Sequence, residues 1–374
     1  MNATGPDIRG LHAAPGTGVL LVTGGGSGAI PALLTVPGAS RTLLEAAVPY
    51  SPEALADWLG GIPDSACAAD TARAMAMAAY RRARVLDPGG ARFGVGCTAA
   101  LVTDRPRRGE HRLHLALQTA GETRHWSLVL TAGARDRAGE EALCTDLILV
   151  AVAEGKGLAP EGGPELLEGE AIEESRHAAT PHWEDLLHER VPATHHADAR
   201  TPPLEPRRRP VFPGAFNPVH AGHLEMARIA AEIVGAPTEY EICVKNVDKP
   251  PLHYADISRR IERFDPAATI WLTAAPTFVE KAEMFPGAVF VMGVDTLERI
   301  ADPRYYGDDP ARRDAAMSRI AELGCSFLVF GRAGESGFIG LEDLDLPDSV
   351  RRLAKEVGED RFRADISSTD MRRA

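Results

Sequence analysis

The feature that most constrains this chain is the alternation of short apolar segments with helical ones after Pro210. We predict strands at 210–212, 239–244, 269–272, 288–292 and 326–330, with helices between them, the first at 221–234. Strands that alternate with helices of this length require parallel crossovers. The pattern therefore predicts an α/β fold with a doubly wound parallel sheet, in which ligands bind beyond the carboxyl ends of the strands.

The first part of the chain predicts a separate, mixed α/β domain. We expect a strand at 18–23, a helix at 71–86, paired strands at 112–118 and 126–131, and a helix at 139–154. The region that follows is dense in Glu, Asp and Pro and lacks strand-forming runs, so it is predicted to be a solvated linker with one short helix. The predicted division is 1–155, 156–209 and 210–374.

Composition excludes several classes of protein. The formal charge of −12 disfavours partners such as nucleic acid or an anionic membrane. No apolar run approaches the roughly 18 residues of a membrane span. The five cysteines are scattered and never form a C-x-x-C pair, which argues against disulfides and structural zinc and favours the reducing cytoplasm. The predicted linker holds five histidines without the spacing of a metal site, so no metal is assigned to His177, His182, His188, His195 and His196.

The segment at 213–224 carries the clearest chemical signal. It joins the first predicted strand of the C-terminal domain to its first helix, and His220 and His223 lie where that helix begins. A helix start presents free N–H groups and a positive dipole end, which attract phosphate. Gly214 and Gly222 remove side-chain bulk where the backbone must approach a ligand. The segment therefore predicts a phosphate-binding loop.

A second phosphate-binding pattern lies near the end of the chain. Ser367, Ser368 and Thr369 offer three hydroxyls at a predicted helix start, and Arg372 follows one turn later. Hydroxyls at an N-cap and a planar guanidinium both suit phosphate oxygens. Either pattern alone is common, but the two together are more specific.

Together, the G-x-F-x-P-x-H-x-G-H run and the I-S-S-T-x-x-R run resemble the nucleotidylyltransferase superfamily, most closely the nicotinamide or nicotinate mononucleotide adenylyltransferases. The resemblance covers about 210–374 and implies a Rossmann-like domain that transfers an adenylyl group from ATP with Mg²⁺. It implies that the catalytic residues are His220, His223 and Arg372. It also implies that the ATP-binding residues are Gly214, Phe216, Gly222, Lys249, Ser367, Ser368 and Thr369, and that the mononucleotide-binding residues are Asn217, Gly293 and Asp295.

The N-terminal domain resembles the CinA-type nicotinamide mononucleotide deamidases, through the segment at 35–40 and loosely over 18–155. The resemblance implies a nucleophilic serine after the first strand, where this chain has Ser27; Ser40 is the other candidate. The glutamate that precedes the serine in that family is missing from this position, and the register of the serine is shifted. An altered nucleophile can leave a pocket without turnover. An active deamidase and a glycine-rich loop that binds a nucleotide or only shapes a turn both remain open.

Three functions stay open at this stage. The first is adenylyl transfer in NAD synthesis, with a deamidase-like domain fused in front. The second is nucleotidyl transfer to another phosphorylated acceptor, and the third is a nucleotide sensor that binds without turnover. The expected partners are small-molecule nucleotides. The sequence does not decide between the amide and acid pyridine forms, and it leaves the oligomeric state open, a homo-oligomer included.

Overall fold

A computed structural model describes residues 7–104, 109–159, 162–245, 252–334 and 337–362. The chain forms two compact units. Unit 1 comprises Met1–Glu184 and Asn246–Ile257, and unit 2 comprises Asp185–Lys245 and Ser258–Ala374. The described residues 252–257 therefore group with unit 1, although they lie within the predicted C-terminal domain. Across the described residues, no helix has the length and apolar character needed to span a membrane.

The first half of the chain builds a six-stranded sheet in the order β2-β1-β3-β4-β5-β6. Its elements are α1 (Ile8–Ala13), β1 (Thr17–Thr23), α2 (Ala29–Leu34), β2 (Leu43–Ala47), α3 (Pro52–Leu59), α4 (Ala69–Leu86), β3 (Arg92–Ala100), β4 (His111–Thr119), β5 (Glu122–Leu130), α5 (Arg137–Gly155), β6 (Glu173–Ala178) and α6 (Pro181–Leu187). Strand β1 is parallel to β2 and β3, whereas β4, β5 and β6 continue the sheet in antiparallel pairs. This unit is the mixed α/β domain that the sequence predicts.

Helix α4 lies unusually close to the sheet because small residues face each other. A Cβ atom at Gly94 would lie 2.2 Å from the backbone nitrogen of Tyr80, and one at Gly96 would lie 2.4 Å from the carbonyl oxygen of Ala72. Ala72 and Ala76 of α4 pack together with Ala116 of β4. The Ala-rich composition of this helix thus serves close packing on β3 and β4.

The second half builds a seven-stranded sheet in the order β15-β12-β11-β8-β9-β10-β7. Its elements are β7 (Ala193–His195), β8 (Arg209–Pro213), α7 (Ala221–Val234), β9 (Glu239–Cys243), α8 (Tyr254–Ile261), β10 (Ile270–Thr273), α9 (Phe278–Met284), β11 (Ala288–Gly293), α10 (Val294–Ala301), α11 (Pro310–Glu322), β12 (Ser326–Phe330), β13 (Arg332–Gly334), β14 (Gly337–Ile339), α12 (Asp348–Arg351) and β15 (Ala354–Val357). All its pairings are parallel except that of β7 with β10, and β13 and β14 form a separate hairpin. The predicted doubly wound, mostly parallel sheet is confirmed.

The region predicted as a linker, 156–209, is more structured than expected. Strand β6 pairs with β5, and β7 pairs with β10, so the prediction that strands are absent here is wrong. Strand β6 is an edge strand that is held partly by ion pairs, Arg124 with Glu174 and Arg176 with Glu122. Its polar sequence lacks the apolar alternation by which strands are identified. The domain boundaries themselves stay a prediction.

Candidate active site

The candidate site lies at the point where the strand order of the second sheet reverses. Strand β8 is flanked by β9, which follows it in the chain, and by β11 on its other side. Helix α7 follows β8, and α10 follows β11. In doubly wound sheets, ligands bind in a crevice at the carboxyl ends of the two strands beside such a reversal, which are β8 and β11 here. The predicted ATP and mononucleotide segments at 214–223 and 293–295 are both at this edge.

One buried aromatic side chain anchors the loop between β8 and α7. Phe216 is 1% exposed and packs against Phe212, Tyr240 and Phe264, with ring centroids 5.2–5.5 Å apart. Its backbone has a positive φ of 42°, and the Asn217–Pro218 peptide bond is cis. A Cβ atom at Gly214 would lie 2.5 Å from the Phe216 ring. Gly214 therefore allows Phe216 to fold back under the loop.

The two predicted histidines meet at the start of α7. His220 is the N-cap residue and His223 lies in the first turn. Their rings stack with centroids 3.6 Å apart and planes inclined by 24°. The backbone N–H of His220 donates a hydrogen bond to Nδ1 of His223 at 3.3 Å. A neutral His223 therefore carries its proton on Nε2, which is left as a donor.

Burial favours the neutral form of both imidazoles. Burial, with a smaller contribution from His220, lowers the pKa of His223 to about 4, and burial also lowers the pKa of His220. An anion at the helix start would favour the charged form of each ring and raise these pKa values. The arrangement can thus offer N–H donors to a phosphate and can take up a proton when one binds.

Arg260 contacts the loop between β8 and α7, and the sequence alone does not predict this contact. Its Nη1 donates a hydrogen bond of 2.8 Å to the carbonyl oxygen of Ala215, and the residue is 8% exposed. Arg260 belongs to α8, 45 positions further along the chain. Nothing in a single sequence connects it to the motif. It holds the backbone of the loop from the side of another helix.

The carboxyl end of β11 presents a carboxylate close to the same edge of the sheet. Gly293 is the N-cap residue of α10, and Asp295 lies in the first turn of that helix. The Asp295 carboxylate is 3.3 Å from Nη1 of Arg332, and both side chains are about 55% exposed. Asp295 can accept hydrogen bonds from a ligand, and Arg332, which belongs to no motif in the sequence, offers a guanidinium beside it.

Several predicted residues lie outside the described residues. These are Lys249, Ser367, Ser368, Thr369 and Arg372. Asn217 lies on the β8 to α7 connection and Gly222 lies in the first turn of α7, and each is partly exposed. Within the described ranges, no three His, Cys, Asp or Glu side chains are grouped in a way that could hold a metal ion.

The N-terminal candidates lie in two different turns. Ser27 follows β1, and its hydroxyl donates a 2.9 Å hydrogen bond to Glu141 of α5. The same carboxylate accepts hydrogen bonds from the N–H groups of Gly26 and Gly28. Ser40 lies in the short 3₁₀ turn Ala39–Arg41 and is exposed. A glutamate therefore does contact the serine loop, but it comes from a distant helix rather than from the position before the serine.

Comparison with known proteins gives a family match for the C-terminal part of the chain and a resemblance to a solved structure. Residues 211–374 match the family model described as cytidylyltransferase-like. No curated protein matches the chain. Among solved structures, the competence/damage inducible protein CihA from Agrobacterium tumefaciens resembles part of the chain, with 20% identity and a TM-score of 0.32. That match covers 41% of this chain and 96% of the other.

Proposed function

We propose a reaction for this chain on the premise that its C-terminal part is a cytidylyltransferase-like domain of the nucleotidyltransferase superfamily. That domain supports nucleotidyl transfer in general. The specific reaction we infer is transfer of the adenylyl group of ATP to nicotinamide or nicotinate mononucleotide, with release of pyrophosphate. The observation that carries this inference is the stacked pair of His220 and His223 at the start of α7, beside the strand-order reversal.

The proposed reaction is a single displacement at phosphorus. A 5′-phosphate oxygen of the mononucleotide attacks the α-phosphorus of ATP, and the bond from that phosphorus to the β-phosphate bridging oxygen breaks. The electron pair leaves with pyrophosphate, and no protein nucleophile takes part. Catalysis of this kind rests on positioning and on stabilising the charge that develops on the phosphate oxygens.

In this proposal His220 and His223 donate hydrogen bonds to the ATP phosphates. The loop at 214–219 holds them in place through the Phe216 anchor and the Arg260 contact. Ser367, Ser368, Thr369 and Arg372 bind the β- and γ-phosphates in the same proposal, and Lys249 contacts ATP. Mg²⁺ enters as part of the substrate, MgATP.

The acceptor mononucleotide is assigned to the carboxyl end of β11. Asp295 offers a carboxylate for a ribose hydroxyl or a carboxamide, and Gly293 and Asn217 flank the crevice. The test is pyrophosphate release from MgATP with a panel of acceptors: nicotinamide mononucleotide, nicotinate mononucleotide and other phosphorylated acceptors. Release with a pyridine mononucleotide supports the proposal. Release only with another acceptor indicates a different transferase, and binding without release indicates a sensor.

For the N-terminal domain we propose nucleotide binding in preference to deamidation, because of the contact between Ser27 and Glu141. Burial would raise the pKa of Glu141, but the hydrogen bonds from Gly26, Ser27 and Gly28 outweigh it and lower that pKa. A carboxylate with a lowered pKa is a weak general base for activating a serine hydroxyl. We expect the chain to bind nicotinamide mononucleotide but to release little ammonia from it. Robust ammonia release that Ser27→Ala or Ser40→Ala abolishes contradicts this.

A further inference from the structure

A cavity of about 630 Å³ opens at the amino ends of β8, β9 and β10. The candidate active site lies at the carboxyl ends of the strands, so the two sites are at opposite edges of one sheet. Strand β8 begins at Arg209 in this cavity and ends at Pro213, roughly 13 Å away at about 3.3 Å per residue. The polar and aromatic residues that matter for the cavity are Arg200, Thr201, Arg207, Arg209, Glu239 and Trp271.

Arg209 forms the inner wall of this cavity, which we call the arginine cavity. It is 1% exposed, and burial lowers the pKa of its guanidinium. Its Nη2 donates a long hydrogen bond of 3.4 Å to the carbonyl oxygen of Pro203, and its Nε lies 3.5 Å from a Glu239 oxygen. Nε and Nη1 make no hydrogen bond to any group in the described part of the chain. A buried charged donor without a hydrogen bond is costly, so a ligand that accepts one would be stabilised here.

Charge in the arginine cavity favours an anion. Three arginines line it against one carboxylate, in a chain whose total charge is −12. The carboxylate, Glu239, already accepts a 2.6 Å hydrogen bond from Nε1 of Trp271 and faces Arg209. Arg207 is exposed at the mouth, as is Arg200, which pairs with Asp198 outside the cavity. Guanidinium groups in such a cluster can donate hydrogen bonds to the oxygens of a planar carboxylate or a tetrahedral phosphate.

We propose that the arginine cavity binds a small anion with a carboxylate or phosphate group, at a site separate from the candidate active site. The anionic group lies between the buried guanidinium of Arg209 and the exposed ones of Arg200 and Arg207. Thr201 offers a hydroxyl beside them, and the Arg200 guanidinium lies over the buried Trp271 ring, 5.9 Å from its centroid. The cavity is large enough for a metabolite rather than a single ion.

The test is titration calorimetry of the full chain with inorganic phosphate and, separately, with citrate. We expect a binding component whose Kd rises at least tenfold in the double variant Arg200→Gln/Arg207→Gln, and stays within twofold of wild type in His220→Ala. Both substituted arginines are exposed, so the double variant is expected to fold. Binding of phosphate alone identifies a phosphorylated ligand, and binding of citrate alone identifies a polycarboxylate.

A second variant tests the sign of the electrostatic argument. Glu239→Gln keeps an oxygen for the Trp271 hydrogen bond but removes the negative charge from the cavity. We expect it to lower the Kd of the same anion severalfold, whereas a purely structural role of Glu239 would weaken binding. The proposal is overturned if neither anion binds the wild-type chain, or if binding is lost in His220→Ala and kept in the double arginine variant.

Discussion

At the scale of single residues, the candidate site depends on how two similar side chains differ in their hydrogen bonds. His223 uses Nδ1 to accept the N–H of the N-cap residue, which leaves Nε2 as its donor. His220 stacks on it from the N-cap position. The spacing of three residues was enough to predict that the rings would be close. It could not predict the hydrogen bond that selects the tautomer.

The first prediction concerns catalysis by these histidines. If they stabilise the transition state more than the bound substrates, His220→Ala or His223→Ala should lower kcat on the order of 10²- to 10³-fold, about 3–4 kcal/mol, by analogy with the loss of one charge-stabilising donor. The KM for the mononucleotide should change little. Steady-state pyrophosphate release measures both constants.

A matched control is available on the same helix. Arg228 is exposed on α7, where it pairs with Glu225 and Glu232. Exposed pairs of this kind contribute little to stability, so Arg228→Ala should keep kcat close to that of wild type. The assignment fails if both histidine variants release pyrophosphate at the wild-type rate.

The second prediction concerns pH. The pKa of His223 is about 4 in the folded chain and about 6.5 when unfolded, so the unfolded chain binds more protons between these values. The free energy of unfolding therefore has its full value, as far as His223 is concerned, above about pH 6.5. It decreases as the pH falls toward 4. For this residue the loss between pH 7 and pH 5 should be about 2 kcal/mol. Urea unfolding at both pH values measures it, and His223→Gln should show a smaller pH dependence than wild type by that amount.

At the scale of elements, the loop that connects β8 to α7 packs on the buried ring of Phe216. Gly214→Ala would insert a methyl group 2.5 Å from the Phe216 ring. Phe216 would have to leave its pocket, so we expect a loss of about 1–3 kcal/mol in the free energy of unfolding, as for other overpacked sites. Chemical denaturation is the measurement.

Gly293→Ala provides the matched comparison, at the end of the neighbouring strand. The nearest atom to a new Cβ there is the carbonyl oxygen of Phe330 at 3.9 Å, an ordinary contact. The stability of this variant should stay close to that of wild type. Equal losses in the two variants would contradict the steric argument for Gly214.

The same scale shows which structure is predictable from sequence. Helix α7 and strand β12 were predicted at their observed bounds, because apolar periodicity within one segment defines them. Strand β6 is not predictable in this way, because it lies at the sheet edge and its residues lack apolar alternation. Ion pairs help to hold it on β5 instead. The histidines of the site were predicted from a local motif. Arg260 and Glu141 reach their loops from distant elements, and a single sequence contains no trace of that proximity.

At the scale of the whole molecule, limited proteolysis tests the division of the chain. The described stretches at 162–172 and 196–208 are largely exposed and contain no helix or strand. Such stretches are preferred cleavage sites. We expect two stable fragments on a denaturing gel, one that ends near residue 160–170 and one that begins near residue 200. First cuts within β1 to α5, or within β8 to β15, would show that the division is wrong.

The fragments should nevertheless remain together under native conditions. Tyr254 is 1% exposed, and it donates hydrogen bonds from its backbone N–H to the hydroxyl of Thr123 and from its own hydroxyl to the carbonyl oxygen of Ala120. These contacts lie within unit 1, although Tyr254 follows β9 in the chain. Size-exclusion chromatography of the cleaved protein should therefore give one peak. Two separate peaks would contradict this role of Tyr254.

The position of Tyr254 also bears on how a gene for this protein can be divided. If the gene were divided at residue 210, the first product would lack Tyr254, which covers Thr123 in the intact chain. The second product would contain Tyr254 without the residues that bury it. Each product would expose apolar surface that the uncut protein conceals, and would be prone to aggregate when made alone. Co-expression of the two pieces should restore solubility to both. The contacts of Tyr254 thus make residues 252–257 part of the first unit, although they follow β9 in the chain.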